Sequence, residues 1–169
     1  MKKWIKILIV LIATPILLLC GLFIAYVIIN SQGIIEPFEH GNPNADKRIL
    51  IASQGSNFKE VLVKSIIDQP ESNQYFFSVI DCTTLGNEID EKWDVIVIIH
   101  TLQVHKMPEE AKVFLSEVKD ISKVMLVSTS GAGDDFVEAY DVDAISSASR
   151  MSAIPEITKW VNERLLEKI

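Results

Sequence analysis

Apolar positions follow two regimes along the chain. From Ile7 to Ile35, 29 residues pass without an Asp, Glu, Lys or Arg, and the run 7–29 is broken only by Thr14, Pro15 and Gly21. At 1.5 Å per residue a helix over 7–29 reaches about 35 Å, enough to cross a bilayer. From Lys47 onward, short apolar runs alternate with stretches of helical spacing. RILIAS at 48–53 predicts a first strand. Residues 56–68 predict a helix, with Phe58, Val61, Leu62 and Ile66 spaced for one face and Pro70 just beyond the end. Further strands are predicted at 75–82, 94–101, 123–130 and 142–149; the second of these, DVIVIIHT, has the continuous β-branched composition of a strand buried on both faces. Pro108, followed by Glu109 and Glu110, suits the first turn of a helix reaching about Lys119. Residues 154–169 predict a last helix with Ile157, Trp160, Val161 and Leu165 on one side. Strand–helix alternation of this kind implies right-handed crossovers, a parallel sheet and a three-layer, doubly wound α/β fold.

Charge and composition then divide the chain. A length of 169 residues allows one compact domain plus an appendage, and 49% hydrophobic against 23% charged residues excludes a disordered chain. Lys2, Lys3 and Lys6 balance Glu36, Glu39 and Asp46, so the net charge of −7 resides on residues 47–169. An acidic domain without a Lys/Arg stripe repels phosphate backbones, which argues against nucleic-acid binding. The three lysines precede the apolar run, and no basic residue follows it until Lys47. That asymmetry predicts a single-pass signal anchor in the cell membrane, with a cytoplasmic amino terminus and an extracytoplasmic domain. A cleaved signal peptide would have an apolar region of about 7–15 residues and a small-x-small site, which AYVIINSQG lacks. A lipoprotein reading of Cys20 would want a small residue where Leu19 stands. The expected organisation is a basic tip at 1–6, a transmembrane helix at 7–29, a Gly/Pro/Asn-containing stalk at 30–46 and one domain at 47–169. Cys20 and Cys82 supply no disulfide framework.

Ligands of doubly wound folds sit outside the carboxyl ends of the strands, so the loops 53–57, 101–107 and 128–135 are the candidates. SQGSN at 53–57 leads straight into a helix, whose first N–H groups and dipole suit a phosphate; Ser56 acting as a plain N-cap explains the same letters. His100 and His105 have no third ligand at a diagnostic spacing. Ser128 and Ser130 lack a nucleophile-elbow context, while Asp81, Asp90, Glu91, Asp134 and Asp135 read as solvated loop charges and Cys82 as a small core residue.

The order of these pieces over 47–169 resembles the flavodoxin-like family. ILIASQGSNFKEVLVKSI is similar to that family's first strand, hydroxyl-rich phosphate loop and first helix. DVIVIIHTLQVHKMPEEAKVFLSEVK resembles its third strand, second flavin loop and following helix, and KVMLVSTSGAGD its fourth strand with a GxGD loop. The resemblance implies a five-stranded parallel sheet in the order 2-1-3-4-5. It also implies FMN held by Ser53, Gln54, Gly55, Ser56 and Asn57 at the phosphate, flanked by Thr101 and Leu102, and covered by Ser130, Gly131, Ala132, Gly133 and Asp134. VDAISSAS at 142–149 is similar to the D-x-[ST]-G-A-T signature of covalent FMN attachment, with Ser147 and Ser149 in place of Gly and Thr. The three loops contain no Tyr or Trp to stack on a flavin ring; Leu102, Val104 and Phe136 are the apolar side chains nearby. Two functions follow: a membrane-tethered FMN module passing electrons to a redox partner, or a cofactor-free domain of the same fold serving as an interaction or structural module at the membrane surface.

Overall fold

The computed structural model describes residues 3–30, 32–70, 74–103, 105–133 and 140–169. Met1–Gln32 and Gly33–Ile169 form two separate units. The first is helix α1, Lys3–Asn30, with Pro15 in its interior. It is long and apolar enough to cross a membrane. Its large side chains point outward all round: Trp4, Leu17, Leu22 and Phe23 are each at least 67% exposed, an arrangement suited to lipid rather than water. The Thr14 hydroxyl donates to the Val10 carbonyl at 2.8 Å, so this polar group needs no water.

The second unit is a mixed α/β domain. Its elements are β1 Gly33–Ile34, β2 Phe38–Gly41, β3 Arg48–Gly55, α2 Asn57–Ile67, β4 Phe76–Asp81, β5 Val95–Thr101, α3 Glu109–Glu117, β6 Val124–Ser130, β7 Asp143–Ala148 and α4 Ile154–Lys168. The sheet order is β2-β4-β3-β5-β6-β7, with β1 paired to β3. All contacts among β4, β3, β5, β6 and β7 are parallel. Two hydrophobic layers flank the sheet. Ile49, Ile51, Val95, Val97 and Ile99 pack with α2 and α4, while Leu50, Ala52, Ile96 and Ile98 face α3 and the short 3-10 segment Cys82–Asn87. Alternate residues of one strand thus enter different layers, and hence β3 and β5 are apolar at nearly every position.

The expected elements of the domain appear within two residues of their predicted ends, but the sheet differs from the expectation. Five wholly parallel strands were expected; the described residues form seven, and β1 and β2 run antiparallel to their neighbours. Both come from the segment expected as a stalk. Glu39 and His40 pair with Ser78 and Phe77, and Ile35 is buried at 4% exposure while its N–H donates to Asp81 Oδ2 at 2.9 Å. The segment lacks sequence periodicity because its bonds are made by backbone, which any residue supplies. The domain therefore starts at Gly33 rather than Lys47, with Gln32 the last residue of the first unit. A fragment 33–169 is expected to unfold cooperatively in urea and to exceed fragment 44–169 in stability by about 2 kcal/mol or more, the burial energy of an isoleucine side chain.

Candidate functional site

The carboxyl ends of β3, β5 and β6 bring most of the expected residues to one end of the sheet. Register sets Ser53 beside Asp81 on one flank and Ile99 on the other, and Thr101 beside Thr129. Ser53 is fully buried, its hydroxyl donating to the Gln54 carbonyl at 3.0 Å. The Gln54 side chain crosses to β5, where its Oε1 accepts the Thr101 N–H at 2.8 Å. Thr101 Oγ1 lies 3.0 Å from Thr129 Oγ1, and Thr129 donates onward to the His100 carbonyl at 3.1 Å. Lys59, in the first turn of α2, completes this chain by donating from Nζ to Thr101 Oγ1 at 2.6 Å.

Lys59 is 1% exposed, and burial pushes its ammonium down to about 8 from 10.5. The spacing 59, 62, 63, 66 follows the buried face of α2, the signal that would have placed this charge inside. Cys82 is pushed up to about 12, chiefly by burial and then by the Asp81 carboxylate, which keeps it a thiol. Asp81 is itself saturated: Oδ1 accepts from the Thr83 N–H and hydroxyl, and Oδ2 from Ile35. On the opposite face of β5, the fully buried His100 places Nε2 3.0 Å from Ser128 Oγ and leaves Nδ1 without a partner. Burial, then the nearby Lys59 cation, pulls His100 down to about 4, so it is neutral at physiological pH.

The remaining expected residues lie around this centre in different states. Ser56 caps α2, its Oγ accepting the Lys59 N–H at 3.3 Å, and Asn57 is exposed. Gly55 is buried under β1: a Cβ there would stand 2.4 Å from the Ile34 carbonyl carbon and 2.5 Å from its oxygen. Leu102 turns into the α3-side core, so Thr101 alone of that pair borders open space. Ser130 Oγ accepts the Gly133 N–H at 2.8 Å, holding the loop against β7; Gly133 has φ +86°, and a Cβ on it would meet the Ala148 nitrogen at 2.4 Å. Gly131 and Ala132 are exposed. Asp134, Asp135, Phe136 and Val104 lie outside the described residues.

A cavity of about 400 Å³ opens at this end, between Gln54 and Thr101 on one side and Gln103, Lys106, Met107 and Glu110 on the other. Gln103 and Lys106 are paired by two reciprocal backbone bonds of 3.0 Å, with His105 in the left-handed region at φ 60°. This tight turn fixes one cation and one amide at the cavity wall, and neither was singled out from sequence because the turn is defined by backbone geometry. No group of three or more His, Cys, Asp or Glu suited to a metal occurs among the described residues.

No protein-family model matches the chain. No curated protein matches it. Among solved structures, it is similar to the general stress protein 14 of Treponema denticola in complex with FMN, at 13% identity, covering 72% of this chain and 97% of that one with a TM-score of 0.43.

Two measurements check this geometry. Gly55→Ala is expected to cost about 1–3 kcal/mol in urea unfolding, because the methyl meets the Ile34 backbone. Gly86→Ala, which would meet nothing within 4 Å, is expected to stay within about 0.5 kcal/mol of the parent. His100 titrates near 6.5 when unfolded and about 4 when folded, so the unfolded chain binds the extra proton between those values. Its contribution is therefore complete above pH 6.5 and is lost as pH falls towards 4, by on the order of 3 kcal/mol. His100→Gln is expected to remove that loss, seen as convergence of the two stability curves between pH 7 and pH 4.

Proposed function

We propose that residues 33–169 are a flavodoxin-like domain that works without a flavin, as an interaction module held at the outer surface of the cell membrane by α1. Support for the fold assignment is the run of five parallel strands, which follow one another across the sheet as second, first, third, fourth and fifth in chain order. Support for the location is the apolar length of α1 and the lysines confined to its amino-terminal side.

The observation that carries the cofactor-free reading is the packing of Ile34 on Gly55. A phosphate cradle at a helix amino terminus needs N–H groups converging on open space. Here the space over Gly55 is filled by main chain, and Ser56 caps the helix with its own hydroxyl. The residues present do not fit an FMN phosphate in this arrangement. Without aromatic side chains in the described loop positions, the ring would also forgo the stacking gain of roughly 0.5–1.5 kcal/mol.

A second reading, FMN-dependent electron transfer to a redox partner, draws on the cavity of about 400 Å³ beside Thr101 and Lys106. Absorbance of the purified protein and fluorescence titration with FMN and riboflavin separate the two. The cofactor-free module is expected to show no visible flavin bands and no quenching of either flavin at high micromolar concentration. Saturable FMN binding far tighter than that of riboflavin would overturn it and assign the phosphate to residues 54–58.

A further inference from the structure

The cavity beside Gln54 and Thr101 is lined by polar groups that the network behind it leaves unused. The Thr129 hydroxyl spends its proton on the His100 carbonyl, so the Thr101 hydroxyl is the donor in their 3.0 Å contact and the acceptor of the Lys59 ammonium. Gln54 commits its Oε1 to the Thr101 N–H. Its Nε2 is left with two N–H groups at the cavity wall and no acceptor among the described residues. A half-buried amide donor of this kind calls for an acceptor in the cavity.

Two opposite charges line the same cavity without neutralising each other. Neither Lys106 nor Glu110 takes part in an ion pair among the described residues, although Glu109, one residue earlier, holds Lys112 at 3.0 Å. Lys106 is fixed by the tight turn to Gln103 and Glu110 by the first turn of α3, on either side of Met107 and Pro108. Met107, 6% exposed, gives the cavity an apolar wall. A volume of about 400 Å³ suits a small molecule. The charges then select its class. The acidic domain repels a simple anion, and a bare cation would meet Lys106 in front and the buried Lys59 behind Thr101. A net-neutral molecule carrying both charges escapes both objections. Its carboxylate answers Lys106 and the Gln54 amide, its ammonium answers Glu110, and an apolar side chain covers Met107. An α-amino acid has these three groups on one carbon.

We propose that this cavity binds a free α-amino acid with an apolar side chain, holding its carboxylate with Lys106 and the Gln54 side chain and its ammonium with Glu110. β1 is not part of the cavity lining, so such a ligand leaves Ile34 on Gly55, and the flavin titrations above decide the cofactor-free reading separately. The test is equilibrium dialysis of the full chain in detergent micelles against radiolabelled L-leucine and L-methionine. Unlabelled N-acetyl-L-leucine, which lacks the ammonium, and L-leucinamide, which lacks the carboxylate, serve as competitors. Saturable binding is expected, with each blocked compound weaker than L-leucine by about tenfold or more, the loss of one charge-assisted hydrogen bond. Lys106→Gln is expected to weaken L-leucine by a similar factor and bring it level with L-leucinamide. Glu110→Gln is expected to bring it level with N-acetyl-L-leucine. Both side chains are exposed, and neither substitution removes a hydrogen bond or ion pair of the fold. Absence of saturable binding of either amino acid at millimolar concentration overturns the proposal. So does binding in which the blocked compounds compete as well as L-leucine, or which survives both substitutions unchanged.

Discussion

The domain depends on one constraint: its central strands are apolar on both faces and must be covered on both. Val95 to Ile99 of β5 and Ile49 to Ala52 of β3 are all fully buried. A strand with that composition has no face to give to water, so every crossover must place something apolar above or below it. Helices α2 and α4 supply one layer, with α4 making a continuous surface through Ile157, Val161 and Leu165. The other layer is thinner, and α3 shares it with Leu85 and Trp93 from the irregular stretch after β4. Parallel pairing follows from this burial, and the collection of polar strand ends at one side of the sheet follows from parallel pairing.

Those strand ends pose the complementary problem of satisfying polar groups where the apolar layers stop. Gln54 answers it for the Thr101 N–H, and Thr129 for Thr101 and the His100 carbonyl. Lys59 is the costly member, since its stem lies on the buried face of α2 and its ammonium has left bulk water. Its lowered affinity for the proton measures that cost, and the 2.6 Å bond to Thr101 offsets part of it. Buried cation, two threonines and an amide thus form a connected network at the edge of the cavity. Such networks rigidify a site when every member is satisfied. Among the described buried side-chain atoms only His100 Nδ1 is left unsatisfied, on the opposite face of the sheet.

Much of the fold was legible because the chain states it twice, once in β-branched runs and once in helical spacing. β5 and α4 were visible on composition alone. Legibility failed where structure rests on backbone or on contacts distant in sequence. β1 is two residues long and has no side-chain pattern to read, although Gly33 beside Gly55 is what allows the two main chains to meet. The Gln54–Thr101 bond joins residues 47 apart, and nothing local announces it. Lys59 was readable from its position four before Val63, but a lysine in a helix is normally assigned to solvent. The expected phosphate loop was recognised by its letters, while the strand covering it came from the segment expected to be a tether.

That overlap sets the energetics of any ligand at residues 54–58. An anion at the Gln54 and Gly55 main chain must first lift Gly33 and Ile34 off β3, and Ile35 with them. The lift exposes Ile35, worth about 1.5–3 kcal/mol of burial, and breaks the bond from its N–H to the Asp81 carboxylate, of the charge-assisted kind worth about 1.5–3 kcal/mol. Every 1.4 kcal/mol is a factor of ten in affinity, so the displacement alone weakens such a ligand by about a hundredfold or more.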